Sequence, residues 1–356
     1  MIKSIDMVKR LLYIICVAFS CVACSQDGGM GSKDKILIDV VSSSVTSKAT
    51  IIENEDDMVA EEEFTINSYL TDGADTPYMK DAWVYYFNGN WRFRDVVNQN
   101  NLIDYYWPND RKLNFMAYMP RDLNKTVVSS SDVSFSSASG VTINCTLPDV
   151  IDDITADDAI REASKREFIY ALRRNLNNDN ATVALKFVHP FSVIKFKLQQ
   201  SHRDLRINYI SLLGIHNSAT YVNEADTYVS YPVNQDNLTY EKWTPTSSPS
   251  TFRINIDKIV PEDINFDRDI TTSYMMVIPQ DLSSIKLVVN YTWDGITKTS
   301  SEIPISTPAV NVWQPAMKYV YSLNLGDNKE EILFKVQVEQ WEKGEDSGYE
   351  NDYQVQ

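Results

Sequence analysis

The stretch "IKLVVNYTW", residues 285–293, alternates apolar and polar side chains along its length. Its odd-numbered positions share a large apolar side chain: Ile285, Leu287, Val289, Tyr291 and Trp293. Lys286 and Asn290 lie between them. A period of two over five to eight residues is typical of a β-strand with one buried face. The stretch therefore predicts a strand packed on a hydrophobic core.

Other parts of the chain repeat this alternation. It recurs at Ile36, Ile38 and Val40, again through 319–325, and again through 332–338. The chain holds 20 Tyr, 13 Phe and 7 Trp, and aromatic residues suit half-buried pleated surfaces. Turn-forming stretches such as "DGAD" and "SSPS" separate the runs. The pattern predicts an all-β chain of antiparallel sandwiches. We expect four of its residues in the core: Phe115, Phe187, Phe196 and Leu287.

One stretch has helical spacing, "ADDAIREASKREFIYALRR", residues 156–174. Ile160, Ala163 and Phe168 could share a face, and an aspartate near the start suits the helix dipole. We predict a helix over 156–166. The following "EFIYAL" is already compatible with a strand.

A change of parity marks the middle of the chain. Val183, Leu185 and Phe187 are odd-numbered, whereas Ile194, Phe196 and Leu198 are even-numbered. A strand cannot change faces without a bulge or a break, and Pro190 lacks the N–H that a ladder needs. We place a domain boundary before this segment, in "RRNLNNDN". The resulting division is 35–180 and 181–341, with an acidic polar tail at 342–356.

The N-terminal segment resembles an export signal. Thirteen uncharged residues, 11–23, follow three basic residues. This run is shorter than the roughly 20 residues of a membrane-spanning helix. It ends in small residues before Cys24, the layout of a lipoprotein signal that places a lipid on the cysteine. We predict a signal peptide at 1–23, palmitate on Cys24 and a tether at 24–34. Cys21 is the competing acceptor, and a plain signal peptide is the other alternative.

The charge of the chain argues against nucleic acid as a partner. Cleavage before Cys24 would leave 333 residues with a net charge of −18, because the removed segment carries three bases and one acid. Such a chain is repelled by phosphate backbones and by anionic lipid. Cys145 would be the only cysteine besides the lipidated one, so no intramolecular disulfide is expected.

Motifs for catalysis or metal binding are missing from the sequence. The three histidines, His189, His202 and His216, have no ligand spacing, and no phosphate loop or nucleophile elbow is present. We expect no enzyme activity, no cofactor and no metal, and a core or turn role for His189. Three tryptophans could instead form a platform for sugars or pack in the core: Trp83, Trp91 and Trp107.

Five segments in chain order resemble the fimbrillin family of surface lipoproteins. They are "YWPNDRKLNFMAYMP" (106–120), "LKFVHPFSVIKFKL" (185–198), "YMMVIPQ" (274–280), "VWQPAMKYVYSLNL" (312–325) and "VQVEQW" (336–341). Ala316 stands where the family commonly has glycine. The resemblance implies two transthyretin-like β-sandwich domains in tandem and a non-catalytic role in fimbrial assembly and adhesion.

The resemblance also implies a route of assembly. A surface protease removes the N-terminal strand, here Ile36, Ile38 and Val40, and a strand from a neighbouring subunit fills the groove. Processing would fall at Lys48-Ala49, where the family often has arginine. If no cut occurs, the protein is an anchor or adhesin that keeps its lipid. The candidate donor strand contains four alternating apolar residues: Ile332, Phe334, Val336 and Val338.

The expected partners follow from this role. They are other fimbrial subunits in a homo- or hetero-polymer, outer-membrane lipid through the acylated cysteine, and surface glycans or proteins of host or bacteria. The expected location is the outward side of the outer membrane or the fimbrium. The alternative function is a glycan-binding surface lipoprotein of a polysaccharide-uptake system. Shaft, tip and anchor positions in a fimbrium stay open.

Overall fold

The computed structural model describes most of the chain between Asp34 and Gln354. The described residues are 34–40, 63–72, 77–98, 101–123, Thr126, Val128, 132–136, 140–152, 168–180, 182–199, 204–228, 239–260, 268–271, 274–325, 332–340 and 351–354. Several predictions lie outside them: the signal peptide, Cys21 and Cys24, the tether up to residue 33, Lys48 and Ala49, and the helix at 156–166.

The described residues form β-strands, with one short 3₁₀ helix at Tyr240–Lys242 and no α-helix. The strands are β1 Leu37–Val40, β2 Glu63–Leu70, β3 Pro77–Phe87, β4 Asn90–Arg94, β5 Leu113–Met119, β6 Val133–Ser136, β7 Gly140–Thr146, β8 Val150–Asp152, β9 Ile169–Leu176, β10 Thr182–Leu185, β11 Ser192–Leu198, β12 Leu205–Ile215, β13 Ser218–Asn223, β14 Trp243–Pro245, β15 Ser250–Val260, β16 Arg268–Asp269, β17 Met275–Val277, β18 Lys286–Trp293, β19 Ile296–Thr299, β20 Ile303–Pro304, β21 Met317–Leu325, β22 Ile332–Gln340 and β23 Asn351–Gln354. The predicted all-β class is confirmed, and "EFIYAL" contributes to β9. Within these described ranges no helix has the length and apolar character needed to cross a membrane.

The first core lies on one face of a five-stranded sheet with the order β4-β3-β2-β5-β9. The two-stranded pair β1-β10 covers that face. Phe64 on β2 is fully buried there, with its ring centroid 5.0 Å from Trp91 and 5.3 Å from Phe187. Phe115 on β5 is buried in the same cluster, as predicted.

The opposite face of this sheet packs on a second layer. Its buried residues, including Met116 and Tyr170, meet a four-stranded sheet with the order β14-β13-β7-β6. Trp243 on β14 closes this cluster, and its Nε1–H donates to the carbonyl of Pro190 at 2.9 Å. Both faces of the five-stranded sheet are therefore covered, one by the β1-β10 pair and the other by the four-stranded sheet.

The largest core lies between two six-stranded sheets. One has the order β16-β11-β21-β22-β23 with β17 also on β11, and the other has β19-β18-β12-β15-β8 with β20 also on β18. Phe196 and Leu287 are fully buried between them, as predicted. The Tyr321 ring lies 5.6 Å from Phe196 and 5.8 Å from Phe334, so aromatic side chains fill the centre.

The parity change in the sequence separates two cores. Val183 and Leu185 face the first core, whereas Ile194 and Phe196 face the largest one. Strand β10 ends at Leu185 and strand β11 begins at Ser192. Residues 186–191 between them include Pro190, so the predicted break is confirmed. The proposed boundary after residue 180 stays a prediction. Val183, Leu185 and Phe187, which it assigns to the second domain, lie in the first core.

The two halves of the chain also share sheets. The strand β13 belongs to the second half yet pairs along six residues with β7. In the other direction β8 adds to β15 in the second half. This pairing is parallel, as are β1–β10 and β11–β21, whereas all other pairings of the described strands are antiparallel. Parallel pairs join segments that are far apart in sequence, which local alternation does not reveal.

Candidate functional site

The N-terminal strand β1 packs between two partners, β10 and the segment around Tyr106. We call the surface formed by these two partners the seat of β1. Residues Leu37–Val40 run parallel to Thr182–Leu185 of β10. On the preceding residues the pairing switches, because Lys35 forms an antiparallel bridge with Tyr106. The strand is therefore held at its start by a loop segment and along the rest of its length by β10.

Side chains of this strand alternate as the sequence predicted. Ile36, Ile38 and Val40 are 3, 8 and 4% exposed, whereas Leu37 is 53% exposed. The three buried side chains lie in the same cluster as Phe64 and Leu185. They complete the cover over the five-stranded sheet, so withdrawal of the strand would expose apolar surface.

Two backbone hydrogen bonds hold the start of the strand. The N–H of Ile36 donates to the carbonyl of Tyr105 at 2.8 Å, and the N–H of Trp107 donates to the carbonyl of Asp34 at 2.9 Å. Beside them, Lys35 Nζ lies 2.7 Å from a carboxylate oxygen of Asp104, and both side chains are about half exposed. Sequence reasoning did not identify Asp104, because an aspartate between two strands carries no periodic signal.

A cleft of about 350 Å³ opens between β1 and β4. Ile36 lines it just before β1 and Ile38 from β1, Arg92 and Phe93 line it from β4, and Asp104 lines it from the segment that follows β4. In the described part of the chain, residues 37–40 join a ladder only with β10. Across the cleft β4 lies close to β1, and within the described residues no strand is hydrogen-bonded to that edge of β1.

The candidate donor strand is an integral part of its own sheet. Ile332, Phe334 and Val336 are buried in the largest core, and Val338 packs against it. The strand β22 pairs with β21 along nine residues on one side and with β23 on the other. To enter another molecule, this strand would have to leave both partners and the core.

His189, His216 and Cys145 do not line the cleft beside β1. His189 is buried, as expected for a core residue, and His216 Nδ1 lies 3.1 Å from the carbonyl of Ser247, whereas His202 is outside the described residues. Burial raises the pKa of the Cys145 thiol well above its usual value, which makes it an inert core residue at neutral pH. The described residues contain no group of three or more metal-ligating side chains.

The tryptophans considered as a sugar platform are packed in the protein. Trp83, Trp91 and Trp107 are all buried, and Trp107 meets Phe115 edge to face at 5.7 Å. The guanidinium carbon of Arg121 lies 4.3 Å from the Trp83 ring and covers it. These three indoles therefore form no exposed coplanar row.

The sequence matches the model of a known protein family. A family model described as fimbrillin-like matches residues 27–341. The chain belongs to the fimbrillin-like family. The match covers both halves and runs from the segment before β1 to the end of β22, so the seat of β1 lies within the family region.

Comparison with solved structures finds proteins similar to this fimbrillin-like chain. A fimbrial protein from Bacteroides vulgatus is similar with a TM-score of 0.53 and 17% identity, covering 86% of this chain and 99% of that one. A fimbrial assembly protein from Parabacteroides distasonis has a TM-score of 0.41 and 8% identity, covering 91% and 99%. No curated protein matches the fimbrillin-like sequence.

Proposed function

We propose that this protein is a non-catalytic subunit or accessory protein of a fimbrium, exposed at the cell surface and acting in adhesion. Membership of the fimbrillin-like family supports the fimbrial and adhesive role. The observation that carries the proposal is the seat of β1: a short terminal strand whose three aliphatic side chains complete the first core. A strand from another molecule with the same alternation could take its place.

The energetics of the seat favour such a replacement. Burying three aliphatic side chains contributes about 1.5–3 kcal/mol each. A groove without β1 would lack this stabilisation. It would also expose the edge of β10, to which another strand could pair. A chain that has lost β1 is therefore expected to capture a new strand.

The proposed donor is β22 of another copy, because Ile332, Phe334, Val336 and Val338 alternate with polar residues. Since this strand is built into its own core, its transfer would be coupled to opening of the second half. Deletion of 331–356 would accordingly destabilise that half as well as remove the donor. Competition with a synthetic peptide of residues 331–340 is the cleaner way to test it.

Anchoring and processing belong to the same proposal. Cys24 is proposed to carry palmitate and to hold the precursor at the outer membrane, with Lys48-Ala49 as the processing site. The glycan-binding alternative has less support, because Trp83, Trp91 and Trp107 are buried. The partners proposed for the processed chain are other fimbrial subunits.

A controlled cut tests the polymerising role. A variant in which residues 44–49 are replaced by the recognition sequence of a site-specific protease is purified uncut and then cleaved. We expect the cleaved protein to form SDS-resistant oligomers and the uncut protein to stay monomeric, and excess peptide 331–340 should suppress the oligomers. Strictly monomeric cleaved protein at high concentration would contradict strand exchange and leave the anchor or adhesin role.

A further inference from the structure

Two arginines lie over aromatic rings at the β3-β4 corner of the five-stranded sheet. The guanidinium carbon of Arg94 is 3.7 Å from the centre of the Tyr85 ring and 4.8 Å from that of Trp83. The guanidinium carbon of Arg121 is 4.3 Å from the centre of the same Trp83 ring. Arg92 is directly opposite Tyr85 in the ladder, is exposed, and also borders the cleft beside β1. We call Arg92, Arg94 and Arg121 the arginine patch.

The centre of the patch is on the side of the sheet away from β1. Val84 and Phe93, which alternate with Trp83 and Arg94 along their strands, belong to the first core beneath β1. Neighbouring side chains of a strand point to opposite faces of the sheet. A ligand could therefore reach the two stacked guanidinium groups while β1 is in place.

The patch carries unpaired positive charge. Within the described part of the chain none of its guanidinium groups meets a carboxylate, whereas three other arginines form ion pairs, namely Arg111, Arg173 and Arg206. The indole N–H of Trp83 is buried and likewise has no acceptor there. A guanidinium that stacks on a ring keeps its N–H groups at the edge of its plane, where they can donate to a carboxylate. The patch thus offers donors and charge to an anionic ligand.

The charge of the whole chain makes a second copy a suitable source of that anion. The sequence contains 49 acidic and 33 basic residues, a net charge of −16. Another copy therefore presents an excess of carboxylates. Opposite charges that meet at a contact steer association and select the partner, even where they add little to total affinity.

The form of the patch favours an extended acidic peptide over a sugar. Trp83 and Tyr85 are 6 and 9% exposed beneath the guanidinium groups, so neither ring offers a face on which a sugar could stack. Arg92 and Arg94 are two residues apart on one strand, a separation of about 6.5–7 Å. Alternate side chains of an extended peptide have the same spacing, so its carboxylates could meet both arginines.

We propose that the arginine patch binds the acidic segment 53–62 of a second copy, "ENEDDMVAEE". This segment has carboxylates at the alternate positions Glu53, Glu55 and Asp57, in agreement with the spacing of the arginines. The inference rests on the proposed function, because the proposed processing site lies just before the segment and a cut there would leave it near the new start of the chain. Each processed subunit would carry both an acidic segment and an arginine patch. Such a head-to-tail contact can repeat along a filament.

Binding is measured by fluorescence polarisation on the uncut protein with a labelled peptide of residues 53–62. We expect this peptide to bind and its amide analogue QNQNNMVAQQ, which lacks the carboxylates, to bind at least about tenfold more weakly. The double variant Arg94→Gln/Arg121→Gln should weaken binding by about three- to tenfold, the combined effect of two exposed ion pairs. Arg253→Gln is the matched control and should leave binding unchanged, because Arg253 also lies over a ring, 4.4 Å from that of Tyr209.

Three results would overturn the proposal. The first is failure of the native peptide to bind, or equal binding of the amide analogue, a comparison that does not depend on the folding of any variant. The second is displacement of the peptide by polygalacturonate at a lower carboxylate concentration than the unlabelled peptide requires, which would assign the patch to an acidic polysaccharide.

The third result concerns the segment of the same molecule. If the peptide binds a variant with Glu53→Gln, Glu55→Gln and Asp57→Asn but not the native protein, the segment occupies the patch of its own chain, and the assignment to a second copy is wrong. Because the protein is uncut in all these measurements, failure of strand exchange at β1 would leave their outcome unaffected.

Discussion

The hydroxyl groups of Tyr170 and Tyr221 lie 2.8 Å apart in the buried layer where the two halves of the chain meet. Tyr170 is on β9 and Tyr221 is on β13. The amide Nδ2 of Asn223 donates a further hydrogen bond to the Tyr170 hydroxyl at 2.7 Å. Tyr170 is thus the centre of a three-residue polar network that links strands more than 50 residues apart in sequence.

Removing the central hydroxyl should cost more than removing the peripheral one. Tyr170→Phe leaves both the Tyr221 hydroxyl and the Asn223 amide buried without this partner, and each such group costs about 1–3 kcal/mol. Tyr221→Phe removes only one contact to Tyr170. Urea unfolding of both variants measures the difference. Equal destabilisation would argue that the network does not centre on Tyr170.

Alkaline pH should destabilise the fold. Burial raises the pKa of Tyr170 to about 12 and that of Tyr221 well above its ordinary value of 10.0. The folded state therefore holds these protons more tightly than the unfolded state, and the stability they contribute is complete below pH 10. It is lost as pH rises from about 10 toward 12, because the unfolded chain releases its protons first. The free energy of unfolding, followed by urea titration at each pH, should decline over this window more steeply in the native protein than in Tyr170→Phe.

Two glycines with left-handed backbones provide a matched pair. At Gly140, with φ +70°, an added Cβ would lie 2.3 Å from the carbonyl oxygen of Asn223, whereas at Gly89, with φ +79°, it would meet nothing within 4 Å. Gly89→Ala should cost about 1–2 kcal/mol from the backbone conformation alone. Gly140→Ala should cost about 1–3 kcal/mol more, because β7 must move away from β13. Similar melting temperatures for the two variants would contradict this close approach.

Truncation of a central aromatic residue should strongly destabilise the second half. Phe196 is fully buried and its ring lies 5.6 Å from that of Tyr321. Phe196→Ala is expected to cost about 3–5 kcal/mol in a thermal or urea unfolding measurement. Leu333→Ala, at an exposed position of β22, should change stability by less than about 0.5 kcal/mol and serves as the control. An unchanged melting midpoint for Phe196→Ala would be inconsistent with the register of β11.

Lipid attachment is expected at Cys24. Cells expressing Cys24→Ala should incorporate no labelled palmitate into the protein and should accumulate its uncleaved precursor. Cys21→Ala should be labelled like the native protein. The reverse pattern would identify Cys21 as the acceptor, and labelling of both variants would exclude a single acceptor at either cysteine.

Sequence periodicity predicted which side of a strand is buried better than it predicted which strand pairs with it. Alternation in 285–293 and 332–338 identified β18 and β22 and the side of each that is buried. The parity change around Pro190 identified the passage from one core to another. Alternation does not say which strand lies alongside, because pairing depends on contacts distant in sequence. The parallel seat of β1 on β10 and the pairing of β13 with β7 were therefore not predicted.

The site was predicted in the same uneven way. Ile36, Ile38 and Val40 could be identified from their spacing and from the family resemblance. Asp104 and the backbone groups of Tyr105 and Trp107 could not, because a short connecting segment has no repeating pattern. The integration of β22 into its own sheet also went beyond what its alternation indicates, since a free donor strand and a central strand have the same period.

Because the two halves share strands, they should resist a force that pulls them apart. Because β13 is hydrogen-bonded to β7 and β8 to β15, tension between the two halves acts on backbone ladders as well as on the connecting chain. Separation of the halves requires the ladders to break together, and the buried Tyr170–Tyr221 contact with them. Under load the two halves would resist separation as one unit, a property that the proposed place in a fimbrium would use.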